Sequence, residues 1–111
     1  MTAVLEAASN TATELIAAGP GITLVDFTAE WCAPCRALAP VLDQLAAETE
    51  DLTVVKVDVD ASPEFASTYS VMSFPTLMFF VNGEPVHRLI GSRGLGSLRE
   101  ELQRVRTAVE S

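Results

Sequence analysis

Only two cysteines occur among the 111 residues, Cys32 and Cys35. So sparse a supply excludes a disulfide-stapled scaffold, and any sulfur chemistry must happen at this one place. Positive charge is also scarce. Lys56 is the single lysine, the six arginines are scattered, and the formal net charge is −8. A nucleic-acid partner is therefore not expected, because phosphate backbones are held by clustered Lys and Arg. Long apolar runs are missing as well: Leu77 to Val81 is the longest, far too short to span a bilayer. The start, Met1-Thr2-Ala3-Val4-Leu5-Glu6, carries no basic region and no apolar core, so it does not read as a secretory leader. No membrane association and a cytoplasmic location are the resulting expectations. In that reducing compartment a close cysteine pair serves catalysis or metal binding rather than stapling.

What is present fits one soluble globular domain over residues 1–111, with 49% hydrophobic and 20% charged residues. No repeats, low-complexity tracts or linkers interrupt it. Ala3 to Ala7 reads as a short edge strand, and Ser9 or Asn10 caps a helix reaching Ala18, which Gly19-Pro20-Gly21 stops. Ile22 to Phe27 is apolar on both faces, the mark of a central strand. Leu38, Val41, Leu42 and Leu45 recur at helical spacing in a helix ending near Glu48, and Pro40 is expected to kink it. Leu52 to Val59 alternates as a half-buried strand. Ser62-Pro63-Glu64 opens a short helix with Ser62 as its cap. Thr76 to Val81 is a further apolar strand, turned by Asn82-Gly83 into Val86 to Ile90. After Gly91 and Gly94, Leu98, Leu102, Val105 and Val109 form the stripe of a last helix. The order β-α-β-α-β-α-β-β-α predicts a mixed α/β sheet with helices on both faces.

Cys32 follows the central strand and opens the second helix. Unpaired N–H groups and the helix dipole at that end stabilise a thiolate. Pro34 suits the first turn, where its missing N–H costs nothing. Cys35, three residues on, falls on the same side of that turn, which is the arrangement for attack by one sulfur and resolution by the other. The same spacing fits half a zinc site, which would need further ligands from a second chain, since His87 is the one histidine here. A structural disulfide closing so small a loop would restrict the unfolded chain little. Asp26, inside Leu24-Val25-Asp26-Phe27, is expected to be buried with a raised pKa and placed to relay a proton to or from Cys35. Lys56 is either its partner or a surface lysine. Pro75 in Phe74-Pro75-Thr76 belongs at a strand entrance or edge. Base rates alone leave its peptide bond trans.

Asp26, Trp31-Cys32-Ala33-Pro34-Cys35, Pro40, Lys56, Phe74-Pro75-Thr76, Asn82-Gly83 and Gly91, in this order, resemble the thioredoxin family over nearly the whole chain from Ile22 onward. The resemblance implies the thioredoxin fold, a central mixed five-stranded sheet flanked by four helices. It implies a thiol–disulfide oxidoreductase that reduces protein disulfides, with Cys32 the exposed nucleophile and Cys35 the buried resolving thiol. Asp26 would move the proton, with Lys56 tuning it, and Pro75 would be cis. Trp31, Ala33, Pro34, Phe74, Pro75, Ile90 and Gly91 would form the substrate groove, where the backbone before Pro75 bonds an extended target segment. No cofactor would be bound beyond the redox-active disulfide. The partner would be a thioredoxin reductase using NADPH and FAD, and the protein would act as a monomer.

Two residues depart from the family's habit. Ala33 stands where Gly is usual, and its methyl is expected to shift redox poise or target choice. Thr28 stands where many members carry a tryptophan under the active site. Competing readings are a target-specific redox partner, an oxidising or isomerising relative, and a thioredoxin-like binding subunit with dispensable cysteines. His87 reads as a surface residue, Met72 and Met78 as core or groove filler, and the acidic excess as a solvated surface.

Overall fold

The computed structural model describes residues 4–18 and 21–110. The expected start of the first strand at Ala3, and Gly19-Pro20 of the expected helix stop, lie outside the described residues. The elements follow the expected order: β1 Leu5–Glu6, α1 Ser9–Ala18, β2 Ile22–Thr28, α2 Ala33–Glu48, β3 Leu52–Asp58, α3 Pro63–Thr68, β4 Thr76–Val81, β5 Glu84–Ile90 and α4 Leu95–Glu110. The five strands form one mixed sheet in the order β1-β3-β2-β4-β5. β3 runs parallel to β1 and β2, whereas β4 is antiparallel to both β2 and β5. The apolar β2 is therefore the central strand.

Strand alternation divides the interior into two cores. Val25 and Phe27 of β2 join Val55, Val57, Met78 and Phe80 on one face, where Ala12 and Ile16 of α1 and Phe65 of α3 cover them. Ile22 and Leu24 join Leu52, Val54, Leu77 and Phe79 on the other, under Leu38, Leu42 and Leu45 of α2 and Leu98, Leu102 and Val105 of α4. This gives three layers. Asp26 shares the parity of Ile22 and Leu24, which assigns it to the face covered by α2. The alternation thus carries a carboxyl group beneath the helix that begins at the cysteines.

Several local expectations needed revision. α1 begins at Ser9, and the Ser9 N–H is satisfied from far along the chain by Ser62 Oγ at 3.2 Å. Ser62 is indeed the N-cap residue of α3 but makes no side-chain cap bond there, because its hydroxyl serves α1 instead. The helix α2 ends at Glu48, as expected, with Pro40 inside it. β5 starts two residues earlier than the pattern suggested, and Pro85 is tolerated within it because β5 pairs with β4 alone. Asn82 and Gly83 have φ of 52° and 81°, the two left-handed residues of a type I′ hairpin. Val109 is exposed rather than packed.

His87 is not a plain surface residue. Its ring stacks on Phe79 with centroids 6.0 Å apart, and its Nε2 meets Glu101 Oε2 at 2.5 Å. Glu101 is buried and also accepts a bond from Arg104, tying β5 to α4. The bond with His87, helped by the neighbouring charges, holds the Glu101 carboxyl below the usual range. Met78 is core, as expected, but Met72 is exposed. The acidic surface is partly paired: Arg99 grips Glu48 and Arg106 grips Asp51, each through two nitrogens.

Candidate active site

Cys32 and Cys35 are joined as a disulfide. Cys32 is the N-cap residue of α2, extended at φ −93° and ψ 104°, and Pro34 lies in the first turn. Its sulfur accepts a hydrogen bond from the Cys35 N–H at 3.2 Å. A donor and a helix N-terminus aimed at one sulfur favour its thiolate over its thiol once the disulfide is opened. Cys32 is only 4% exposed in this oxidised form, so the exposed position implied by the resemblance does not hold here. The sulfur is turned toward Cys35, to which it is bonded and from whose N–H it accepts.

Trp31 immediately precedes Cys32 and is 64% exposed. Two contacts fix it. Its indole N–H donates to Asp60 Oδ2 at 2.8 Å, and its ring meets Phe74 edge-on at 5.9 Å. Asp60 is itself positioned by a bond from its N–H to Asp58 Oδ1. Nothing in the residue pattern singled out Asp60, since an acidic turn residue reads as solvated surface. The Phe74–Pro75 peptide bond is cis, against the base-rate reading and as the resemblance implied. Pro75 is buried at the entrance of β4, and its carbonyl accepts from the Gly91 N–H at 2.9 Å. Gly91 adopts φ 95°, a conformation that favours glycine. Ile90 pairs with Thr76 across β4 and β5 and is exposed. Trp31, Phe74, Pro75, Ile90 and Gly91 are thereby brought to one end of the sheet. Ala33 and Pro34 are exposed on the first turn of α2.

On β2, the strand leading to the cysteines, Asp26 is 1% exposed, and among the described residues neither carboxyl oxygen meets a hydrogen-bond donor. Burial raises its pKa to about 7, with the nearby Lys56 ammonium pulling the other way. Lys56 is the register partner of Asp26 on β3 and of Glu6 on β1. Its ammonium lies 3.7 Å from Glu6 Oε1. The three charges thus stand in a row across β1, β3 and β2, and Glu6 is the member that sequence reasoning missed. A pocket of about 640 Å³ opens beside this row, lined by Cys35, Ala39, Thr28, Lys56 and Glu6 among others. The small side chain of Thr28 helps leave that space. Among the described residues no group of three or more His, Cys, Asp or Glu is placed to hold a metal ion, and no helix is long and apolar enough to cross a membrane.

Comparison with known proteins agrees with this geometry. The thioredoxin family model matches residues 3–104. The chain belongs to the thioredoxin family. It is 51% identical over 83 residues to a thioredoxin of Mycobacterium tuberculosis, covering 74% of this chain and 72% of that protein. A bifunctional thioredoxin reductase/thioredoxin of Mycobacterium leprae is 47% identical over 83 residues, 74% of this chain but 18% of that longer protein. Among solved structures, a thioredoxin of Fasciola hepatica superposes with a TM-score of 0.82 at 39% identity, covering 92% of this chain and 97% of that one. The family and its paired cysteines identify the chain as a thiol–disulfide oxidoreductase.

Proposed function

We propose that the protein reduces disulfides of other proteins, with Cys32 as nucleophile and Cys35 as resolving thiol. The observation that carries this reading is the disulfide between an N-cap cysteine and a first-turn cysteine, with a buried, unpartnered carboxyl group on the strand that leads into them. In the reduced protein the Cys32 thiolate attacks one sulfur of a target disulfide. The target S–S bond breaks, a mixed disulfide forms, and one target thiolate departs. Cys35 then attacks the Cys32 sulfur, closing the internal disulfide and releasing the second target thiolate. Two electrons pass to the target. Asp26, with a pKa near neutrality, takes the Cys35 proton during resolution and gives it back on re-reduction. Lys56 tunes that proton affinity.

Trp31, Ala33, Pro34, Phe74, Pro75, Ile90 and Gly91 form the surface for an extended target segment, which bonds to the backbone before Pro75. Re-reduction comes from a thioredoxin reductase that carries FAD and uses NADPH. The fused reductase and thioredoxin named in the Mycobacterium leprae relative supports that pairing. The protein works as a monomeric electron carrier in the cytoplasm, where a reducing environment suits a pair that must cycle.

The test is to trap the intermediate. Cys35→Ser, reduced and mixed with a disulfide-bearing protein, should accumulate a mixed disulfide through Cys32, whereas Cys32→Ser should not. Equal trapping by both variants would contradict the assigned roles.

A further inference from the structure

Met72 is 88% exposed, more than any other large apolar side chain among the described residues. A single exposed apolar side chain is ordinary by itself, and it is the place of this one beside the docking residues that gives it meaning. Its position is informative. It lies two residues before Phe74, whose ring touches Trp31, and three before the cis-bonded Pro75. The next most exposed large apolar side chains are Trp31 at 64% and Ile90 at 58%, both at this same end of the sheet. Met78, by contrast, is 3% exposed within β4 and serves as a buried reference. Met72 is therefore an open thioether on the rim of the surface through which targets would dock.

We propose that Met72 is a peroxide-sensitive modification site whose oxidation selectively weakens engagement of protein targets. This rests on the docking surface proposed above. In the step itself a sulfur lone pair of Met72 attacks one oxygen of a hydroperoxide. The O–O bond breaks, a sulfur–oxygen bond forms, and the other oxygen leaves as water or an alcohol after taking a proton. The thioether loses two electrons and the peroxide gains them. The product sulfoxide is polar and carries a strong acceptor, so it removes an apolar contact from the rim. The disulfide form of the protein offers no competing thiolate, because both cysteines are bonded to each other.

The experiment treats the disulfide form of the protein with dilute hydrogen peroxide, quenches it, and locates the added oxygen by tandem mass spectrometry. Oxygen should appear at Met72 well before Met78. The treated protein should then lose about fivefold in kcat/KM for a protein disulfide such as insulin, the scale of one interface contact. Its rate with a small aromatic disulfide, which needs no rim, should change less than about twofold. In Met72→Leu the treated-to-untreated ratio with insulin should stay near one. Equal oxidation of Met72 and Met78 would overturn the inference. So would an equal loss with both substrates, or a loss that persists in Met72→Leu. Untreated protein that fails to reduce insulin at all would instead contradict the proposed function, so the two failures are separable.

Discussion

Replacing Asp26 by Asn should stabilise the protein, and the gain should grow with pH. The carboxyl group of Asp26 titrates at 3.8 when unfolded and at about 7 in the fold, because burial disfavours its charged form. Below the unfolded value both states hold the proton, and the group contributes nothing. Between the two values the folded state keeps a proton that the unfolded state has released, so folding becomes steadily harder as pH rises. Above about 7 both states are ionised and the full penalty applies. Roughly three units at 1.36 kcal/mol each give about 4 kcal/mol, of which about 2–3 kcal/mol accumulates between pH 5 and pH 8. Asn keeps the shape and the buried polar atoms but cannot ionise. Whatever its amide costs is the same at both pH values and cancels in the comparison.

The assay is urea unfolding of the disulfide form at pH 5 and pH 8, wild type against Asp26→Asn. For an m-value of about 2 kcal/mol/M, the advantage of the variant should widen by about 1 M urea in midpoint between the two pH values. An advantage that stays constant would refute the reasoning, since it would mean that Asp26 titrates alike in both states. A gap that narrows with pH would refute its sign.

Two further consequences concern the surroundings of the site. Glu6→Gln removes an acidic neighbour of Lys56 and frees its ammonium for Asp26; the Asp26 midpoint, followed by carbon NMR of its carboxyl, should fall below its wild-type value, and an unchanged midpoint would deny Glu6 a positioning role. Gly91→Ala has open space for the new methyl but a φ of 95°, so it should cost about 1–2 kcal/mol in chemical denaturation. Gly94→Ala, which has equal space and no such φ, should cost much less.

Much of this was legible in the residues for physical reasons. β2 announced itself because a central strand buries both faces, and α2 because Leu38, Leu42 and Leu45 share one side. The Asn82-Gly83 turn was readable because few residue pairs accept two positive φ angles. Asp26 stood out because a carboxylate within an apolar run must be desolvated. What escaped were partnerships made across long stretches of chain. Ser62 reaches Ser9, Asp60 holds Trp31, Glu6 meets Lys56, and Glu101 pairs with His87. Each uses a polar residue whose local pattern looks like ordinary surface, and only the folded register brings the partners together. The burial of Cys32 was likewise hidden, because it depends on which way the sulfur turns once the disulfide closes.

On the proposed function, electrons flow to target proteins through Cys32. Its most direct test is NADPH consumption in the presence of a thioredoxin reductase and a protein disulfide, with wild type compared against Cys32→Ser. Wild type should sustain turnover, and the variant should show none above background. Protein-disulfide reduction that survives in Cys32→Ser would contradict it.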